Sequence, residues 1–282
     1  MKRTAIALII LAFMLAPFAG CTSESFDPNA LPVAITYGKV QSTFLKFGID
    51  INGDYCKALK AHGARSVRLF IADAPADVDA KLAGVAGVLV PGGFDIEPAR
   101  FKEERVKECE ASDLALDELE YKVLEFARAK KLPVLGICRG MQMLTVFYGG
   151  SLYQDIPAYF KSASPIPHRE SLDLWIYKHA RPCFHDAVLE KGGMLAALLG
   201  AEKIKVNTYH HQGAKAVAPG TRVIARAADG FVEGIEGTGD QWILGTQFHP
   251  EMLRLEDTRF DAIFARFVQE VGKRQGAKAA RQ

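Results

Sequence analysis

The chain has 282 residues, 49% apolar and 24% charged, with 35 basic against 33 acidic side chains and a formal charge of +2. That balance is ordinary for a globular protein and excludes a long disordered, collagen-like or coiled-coil chain. No basic patch stands out, so nucleic acid is not an expected partner.

Lys2 and Arg3 precede a nearly continuous apolar run from Thr4 to Ala16, and Pro17-Phe18-Ala19-Gly20-Cys21 follows. The run is shorter than the ~20 residues that span a bilayer comfortably, and its order is that of a secretory signal. The segment resembles a bacterial lipobox, which implies lipidation of Cys21 and a membrane-anchored protein of the cell envelope facing the periplasm. Thr22 stands where aspartate marks inner-membrane retention in some bacteria, which favours the outer membrane. The expected organisation is a signal at 1–20, a tether at 21–31, one domain at 32–272 and a polar tail at 273–282.

Within the domain, strands are expected at 32–36, 67–71, 87–90 and 133–137. Helices are expected at 55–61, from Ser112 or Asp113 to 131, and at 139–148. The second half adds strands at 204–206, 223–227, 231–235 and 243–248, then a closing helix at 257–271. Short apolar strands alternating with helices predict an α/β fold with a largely parallel central sheet covered on both faces.

The central signal is Gly136-Ile137-Cys138-Arg139-Gly140, a strand, a sharp turn and a helix start. The form G-x-C-x-G parallels the serine nucleophile elbow, with glycines leaving room for a strained turn. The cysteine would sit at a helix N-terminus, whose dipole favours an anion. A second cluster, Gly245-Thr246-Gln247-Phe248-His249-Pro250-Glu251, ends an apolar strand. His249 and Glu251 are two apart, so an extended backbone would aim both the same way. Nucleophile, base and orienter are the parts of a triad. In Val90-Pro91-Gly92-Gly93, glycines after a strand expose N–H groups that, with the N–H of Arg139, suit an oxyanion hole.

These two clusters together resemble a class I glutamine amidotransferase domain, expected to be flavodoxin-like. Four further stretches resemble its free-standing branch, the γ-glutamyl-γ-aminobutyrate hydrolase family: residues 91–98, 148–155, 206–212 and 229–233. The resemblance implies Cys138 as nucleophile, His249 as base and then acid, Glu251 as orienter, and the N–H groups of Gly93 and Arg139 as oxyanion donors. It also implies that Thr208, Tyr209 and His210 line the pocket for the glutamyl main-chain end, with Gln142 contacting substrate one helical turn beyond Cys138. Departures occur at Leu116-Asp117, where Arg-Asp is usual, at Thr145 for asparagine, and at Phe248 for tryptophan. An insertion at 171–182 is longer and more aromatic than the family pattern.

The implied activity is hydrolysis of a small γ-glutamyl compound through a cysteine thioester. No cofactor is expected, and no metal, because the spacing of His179 and His185 to other ligands fits no site. A homo-oligomer is allowed. A glutaminase subunit feeding a partner, a cell-wall γ-glutamyl peptide amidase and a binding protein that kept the fold remain as alternatives. Leaving group, oligomeric state and the pairing of Cys56, Cys109 and Cys183 stay open.

Overall fold

The computed structural model describes residue 27, residues 29–159, residues 166 and 168, and residues 183–279. The expected signal, Cys21 and the insertion at 171–182 lie outside the described residues.

In chain order the elements are β1 (Leu31–Tyr37), α1 (Lys39–Lys46), α2 (Gly53–Ala61), β2 (Ala64–Phe70), α3 (Pro75–Ala83) and β3 (Gly87–Val90). Then come α4 (Leu114–Lys130), β4 (Val134–Ile137), α5 (Arg139–Phe147), β5 (Ser151–Tyr153) and α6 (Ile156–Tyr159). The second half holds β6 (Cys183–Leu189), α7 (Met194–Leu199), β7 (Lys203–Thr208), β8 (Gly213–Ala216), β9 (Thr221–Ala227) and β10 (Val232–Gly237). It closes with β11 (Ile243–Thr246), α8 (Pro250–Leu253) and α9 (Asp261–Ala279).

One sheet runs in the order β2-β1-β3-β4-β11-β10-β9-β6-β7. The strands from β2 to β11 pair in parallel, and those from β11 to β7 pair antiparallel. A separate ribbon joins β5 to β8. The three central strands, GVLV, VLGI and ILGT, are wholly buried, as strands covered on both faces must be. Their alternate residues serve two cores. Leu89, Leu135, Ile137 and Leu244 pack with α2, α7 and α9, while Val88, Val90 and Val134 pack with α3, α4 and α5. The fold is thus the α/β layer arrangement expected from the sequence.

Local chemistry sets the element ends. The Asp113 carboxylate accepts the Leu116 N–H at 3.2 Å and caps α4, and Lys131 ends that helix in the left-handed region at φ 50°. The closing helix differs from expectation. A short 3₁₀ turn, Thr258–Phe260, precedes it, and the helix runs on to Ala279, so the expected tail boundary at 273 falls inside regular structure. No helix among the described residues is long and apolar enough to cross a membrane.

Strand register positions the site. Val90 lies opposite Gly136, and Thr246 lies opposite Ile137. Carried two residues past β3 and one past β11, Gly92 and Gln247 both flank Cys138 at the C-terminal edge of the sheet. Such an edge is where open α/β sheets bind ligands. Close approach of β3, β4 and α5 depends on two missing side chains. A Cβ on Gly140 would lie 2.0 Å from the Val90 carbonyl oxygen, and one on Gly136 would lie 2.6 Å from the Gly140 carbonyl oxygen. Backbone cannot yield as a flexible side chain can. Gly140→Ala is therefore expected to destabilise the fold by about 3 kcal/mol, the upper end of ordinary overpacking, measurable as a lower urea midpoint.

Candidate active site

Cys138 stands between β4 and α5 with φ 55° and ψ −111°, a conformation that a non-glycine residue rarely adopts. Its N–H donates to the Thr246 carbonyl at 2.7 Å, and its carbonyl accepts the Gln142 N–H at 3.2 Å. The turn is thereby pinned at both ends, to β11 and to the first turn of α5. This is the elbow that the glycine spacing predicted.

The Arg139 side chain points away from the sulfur into the protein. Wholly buried, it pairs with Asp117 at 2.5 Å and with Glu120 through a second short contact. Glu120 also accepts the Thr36 hydroxyl at 2.9 Å, and Asp117 accepts the Glu97 N–H at 3.1 Å. Burial opposes the Arg139 charge, but Glu120 and Asp117 hold its pKa above the usual arginine value. The ion triad joins α4, β1 and the loop after β3 beneath the elbow. A Cβ on Gly93 would meet Arg139 Cδ at 2.8 Å, so that loop lies flat against the same side chain. The Arg139 N–H opens α5 and has no partner within the helix.

His249 follows β11. The expectation of an extended backbone through 251 does not hold: His249 caps α8, Pro250 occupies its first turn, and Glu251 lies within the helix. The pair still meets, with His249 Nδ1 2.6 Å from Glu251 Oε1. The carboxylate can only accept here, so Nδ1 donates and Nε2 is left for other work. Among the described residues Nε2 has no hydrogen-bond partner. Burial would lower the His249 pKa, yet Glu251 and then Cys138 raise it well above the usual histidine value. Cysteine and histidine share one small space: a Cβ on Gly92 would lie 3.1 Å from His249 Cε1 and 3.7 Å from Cys138 Cβ.

Three residues that the sequence reading did not single out complete the surroundings. Tyr55 on α2 accepts the Gly92 N–H at 3.2 Å and lies 3.4 Å from His249 Nδ1. Asn207 on β7 clasps the His249 backbone, accepting its N–H at 2.9 Å and donating to its carbonyl at 3.3 Å. Gln247 donates to the Cys138 sulfur at 3.7 Å. Asn207 lies within the stretch 206–212 and Gln247 within the cluster 245–251, so a signal existed for both. Tyr55 looked like any apolar residue opening a helix.

The expected pocket residues divide. Tyr209 is half-buried, its ring edge-on to His249 at 5.4 Å. Thr208 donates its hydroxyl to the His168 carbonyl at 2.7 Å. The Gln142 amide nitrogen donates to the Gln212 carbonyl at 3.0 Å and to Gln247 Oε1 at 3.2 Å, reaching the cysteine only through Gln247. His210 is buried. Its Nδ1 lies 2.8 Å from the Gln212 carbonyl, and its other nitrogen faces a buried group made by His168, His185 and Glu233. Burial pushes His210 down to about 3 and Glu233 up to about 7. His211, next in sequence, instead bridges Asp95 at 2.9 Å and Asp155 at 3.0 Å. Among the described residues no disulfide occurs.

Residues 40–251 match the family model of Peptidase C26. The chain belongs to that family. It is a cysteine-dependent hydrolase of the class I glutamine amidotransferase-like kind. A Schizosaccharomyces pombe protein described as a glutamine amidotransferase is 36% identical over 172 residues, 60% of this chain and 63% of that one, just under two thirds of its length. The γ-glutamyl-γ-aminobutyrate hydrolase of Escherichia coli K12 is 33% identical over 196 residues, 69% of this chain and 75% of that one. A solved Thermoplasma acidophilum protein described as part of a GMP synthase superposes with a TM-score of 0.59 at 17% identity, covering 89% of this chain and 98% of that one. That likeness concerns the fold alone.

The buried charges of this Peptidase C26 member carry two expectations about stability. Arg139→Met strands two buried carboxyls and is expected to cost about 3–5 kcal/mol, read from urea unfolding. For His211, burial lowers the pKa, but Asp95 and Asp155 prevail and raise it above the unfolded value of 6.5. A raised histidine stabilises fully below its unfolded pKa and less as pH climbs through the folded one. The melting-temperature gap between wild type and His211→Gln should be widest near pH 6 and narrow as pH rises.

Proposed function

We propose that this protein hydrolyses the γ-glutamyl amide bond of a small γ-glutamyl compound, releasing glutamate and an amine. The observation that carries this reading is His249, held at Nδ1 by Glu251, its Nε2 without a hydrogen-bond partner among the described residues, beside a cysteine on a strained elbow. The relatives supply the bond: one of them carries γ-glutamyl-γ-aminobutyrate hydrolase as its name.

In the proposed sequence the Cys138 thiol gives its proton to His249 Nε2 as its sulfur attacks the side-chain amide carbonyl carbon, and the N–H groups of Gly93 and Arg139 receive the developing oxyanion. Collapse breaks the C–N bond as His249 Nε2–H gives its proton to the departing amine. Water then attacks the thioester and passes one proton to the same nitrogen, and glutamate leaves as sulfur regains its electron pair. Glu251 holds the imidazole throughout, and Tyr55 fixes both that ring and the Gly92 end of the oxyanion loop. Tyr209, edge-on to the ring, would border the substrate. We further propose export with Cys21 lipidated, which would set the reaction in the periplasm.

The test is glutamate release from γ-glutamyl amines, glutamine and γ-glutamyl peptides. Release by the wild type and none by Cys138→Ala is expected, and release from no member by folded protein would refute the reading. Glu251→Gln is expected to lower kcat at least about 100-fold, the scale of acid–base catalysis, with KM little changed. A loss confined to KM would contradict the orienting role.

A further inference from the structure

Beside the catalytic groups lies a second constellation that the chemistry above does not use. His185 comes from β6, Glu233 from β10, His210 from the segment after β7, and His168 lies against Thr208. All four are at least nine-tenths buried. One donor atom from each falls within 4.8 Å of every other.

The tautomers follow from the outer partners. His185 Nδ1 lies 3.2 Å from the Asp186 carbonyl, and His210 Nδ1 lies 2.8 Å from the Gln212 carbonyl. His168 Nε2 lies 2.8 Å from an Asp229 carboxylate oxygen. Those oxygens only accept, so each of these ring nitrogens donates. The opposite nitrogens, His168 Nδ1, His185 Nε2 and His210 Nε2, are then lone pairs, and among the described residues none has a hydrogen-bond partner. Both oxygens of Glu233 are likewise without a hydrogen-bond partner among the described residues. Three ring nitrogens and one carboxylate therefore face one another with no donor among those residues. One proton can serve only one pair of them, and the rest would remain buried and unsatisfied.

We propose that His168 Nδ1, His185 Nε2, His210 Nε2 and a Glu233 oxygen hold a first-row divalent metal ion, with zinc the best fit. Imidazole nitrogens with one carboxylate suit such ions. Glu233 Oε1 is 3.5 Å from His185 Nε2 and 3.6 Å from His210 Nε2. Tetrahedral bonds of about 2.0–2.1 Å place ligands roughly 3.4 Å apart, so these two pairs need little contraction and the remaining pairs, all within 4.8 Å, close by at most about 1.4 Å. The remaining nitrogen of each ring donates to a carbonyl or a carboxylate, the outer shell that orients metal-bound histidine. Four protein ligands close the shell, which makes the ion structural. It would fasten β6 and β10 to the segment carrying Tyr209, and so fix one wall beside His249.

The experiment strips the purified full chain with a chelator, loads it with zinc ion alone, and removes the excess. About one retained zinc per chain and a higher melting temperature than the stripped protein are expected. X-ray absorption should show imidazole scattering with nitrogen and oxygen neighbours at about 2.0–2.1 Å and no sulfur shell near 2.3 Å. Glu233→Gln and His185→Gln should weaken zinc binding by more than about tenfold, and Asp229→Asn by about 10- to 100-fold. Retention of less than about a tenth of an equivalent of any first-row metal by stripped-and-loaded and as-purified protein would overturn the proposal. So would a sulfur shell, or undiminished binding in Glu233→Gln. Should the variants fail to fold, the metal content and absorption spectrum of the wild type decide alone.

Discussion

The left-handed turn at Cys138 governs this molecule. A non-glycine residue there costs on the order of 1–3 kcal/mol, and it persists only where the surroundings over-determine it. Here they do so by contact of bare backbone. Gly140 lies against the Val90 carbonyl, Gly136 lies against Gly140, and the Cys138 N–H is tied to Thr246. Three neighbouring strands, β3, β4 and β11, are thereby drawn to one point, and each ends in a piece of the site. Beneath that point the Arg139 triad ties α4 and β1 to the same turn. Shape and charge thus act on one residue from opposite sides.

The parts legible in the sequence are those whose meaning is local. G-x-C-x-G encodes a turn through the absence of side chains, and the sharp turn stands at Cys138 with φ 55°. The buried strands announced themselves as short apolar runs. The His249–Glu251 pair was found by spacing, though the helical turn starting at Pro250, rather than an extended strand, brings the two together. Departures from the family pattern also gain physical sense. Asp117 keeps its place in the Arg139 triad although Leu116 precedes it, and Thr145 turns its hydroxyl to the Met141 carbonyl. Phe248 is wholly buried and packs edge-on against Phe260 at 5.9 Å.

What stayed hidden depends on long-range placement. Tyr55 reaches His249 across 194 positions, and Asn207 does so across 42. Neighbouring histidines make the same point. His211 lies between two aspartates that raise its pKa, whereas the pKa of His210, one residue earlier, is lowered, first by burial and further by neighbouring imidazoles. Composition cannot distinguish them, and only the partners that the fold delivers do.

The glutamines beside the cysteine have a further consequence. The Gln212 main-chain carbonyl can only accept, so the Gln142 amide must turn its NH₂ toward it. That same NH₂ reaches Gln247 Oε1, which leaves the Gln247 NH₂ for the sulfur. The sense of the whole chain is therefore dictated by a peptide group that no mutation can invert. Whatever the charge on the sulfur during turnover, this neighbour offers it a hydrogen and never a lone pair. A single-atom change from amide to carboxylate at position 142 would be felt two links away.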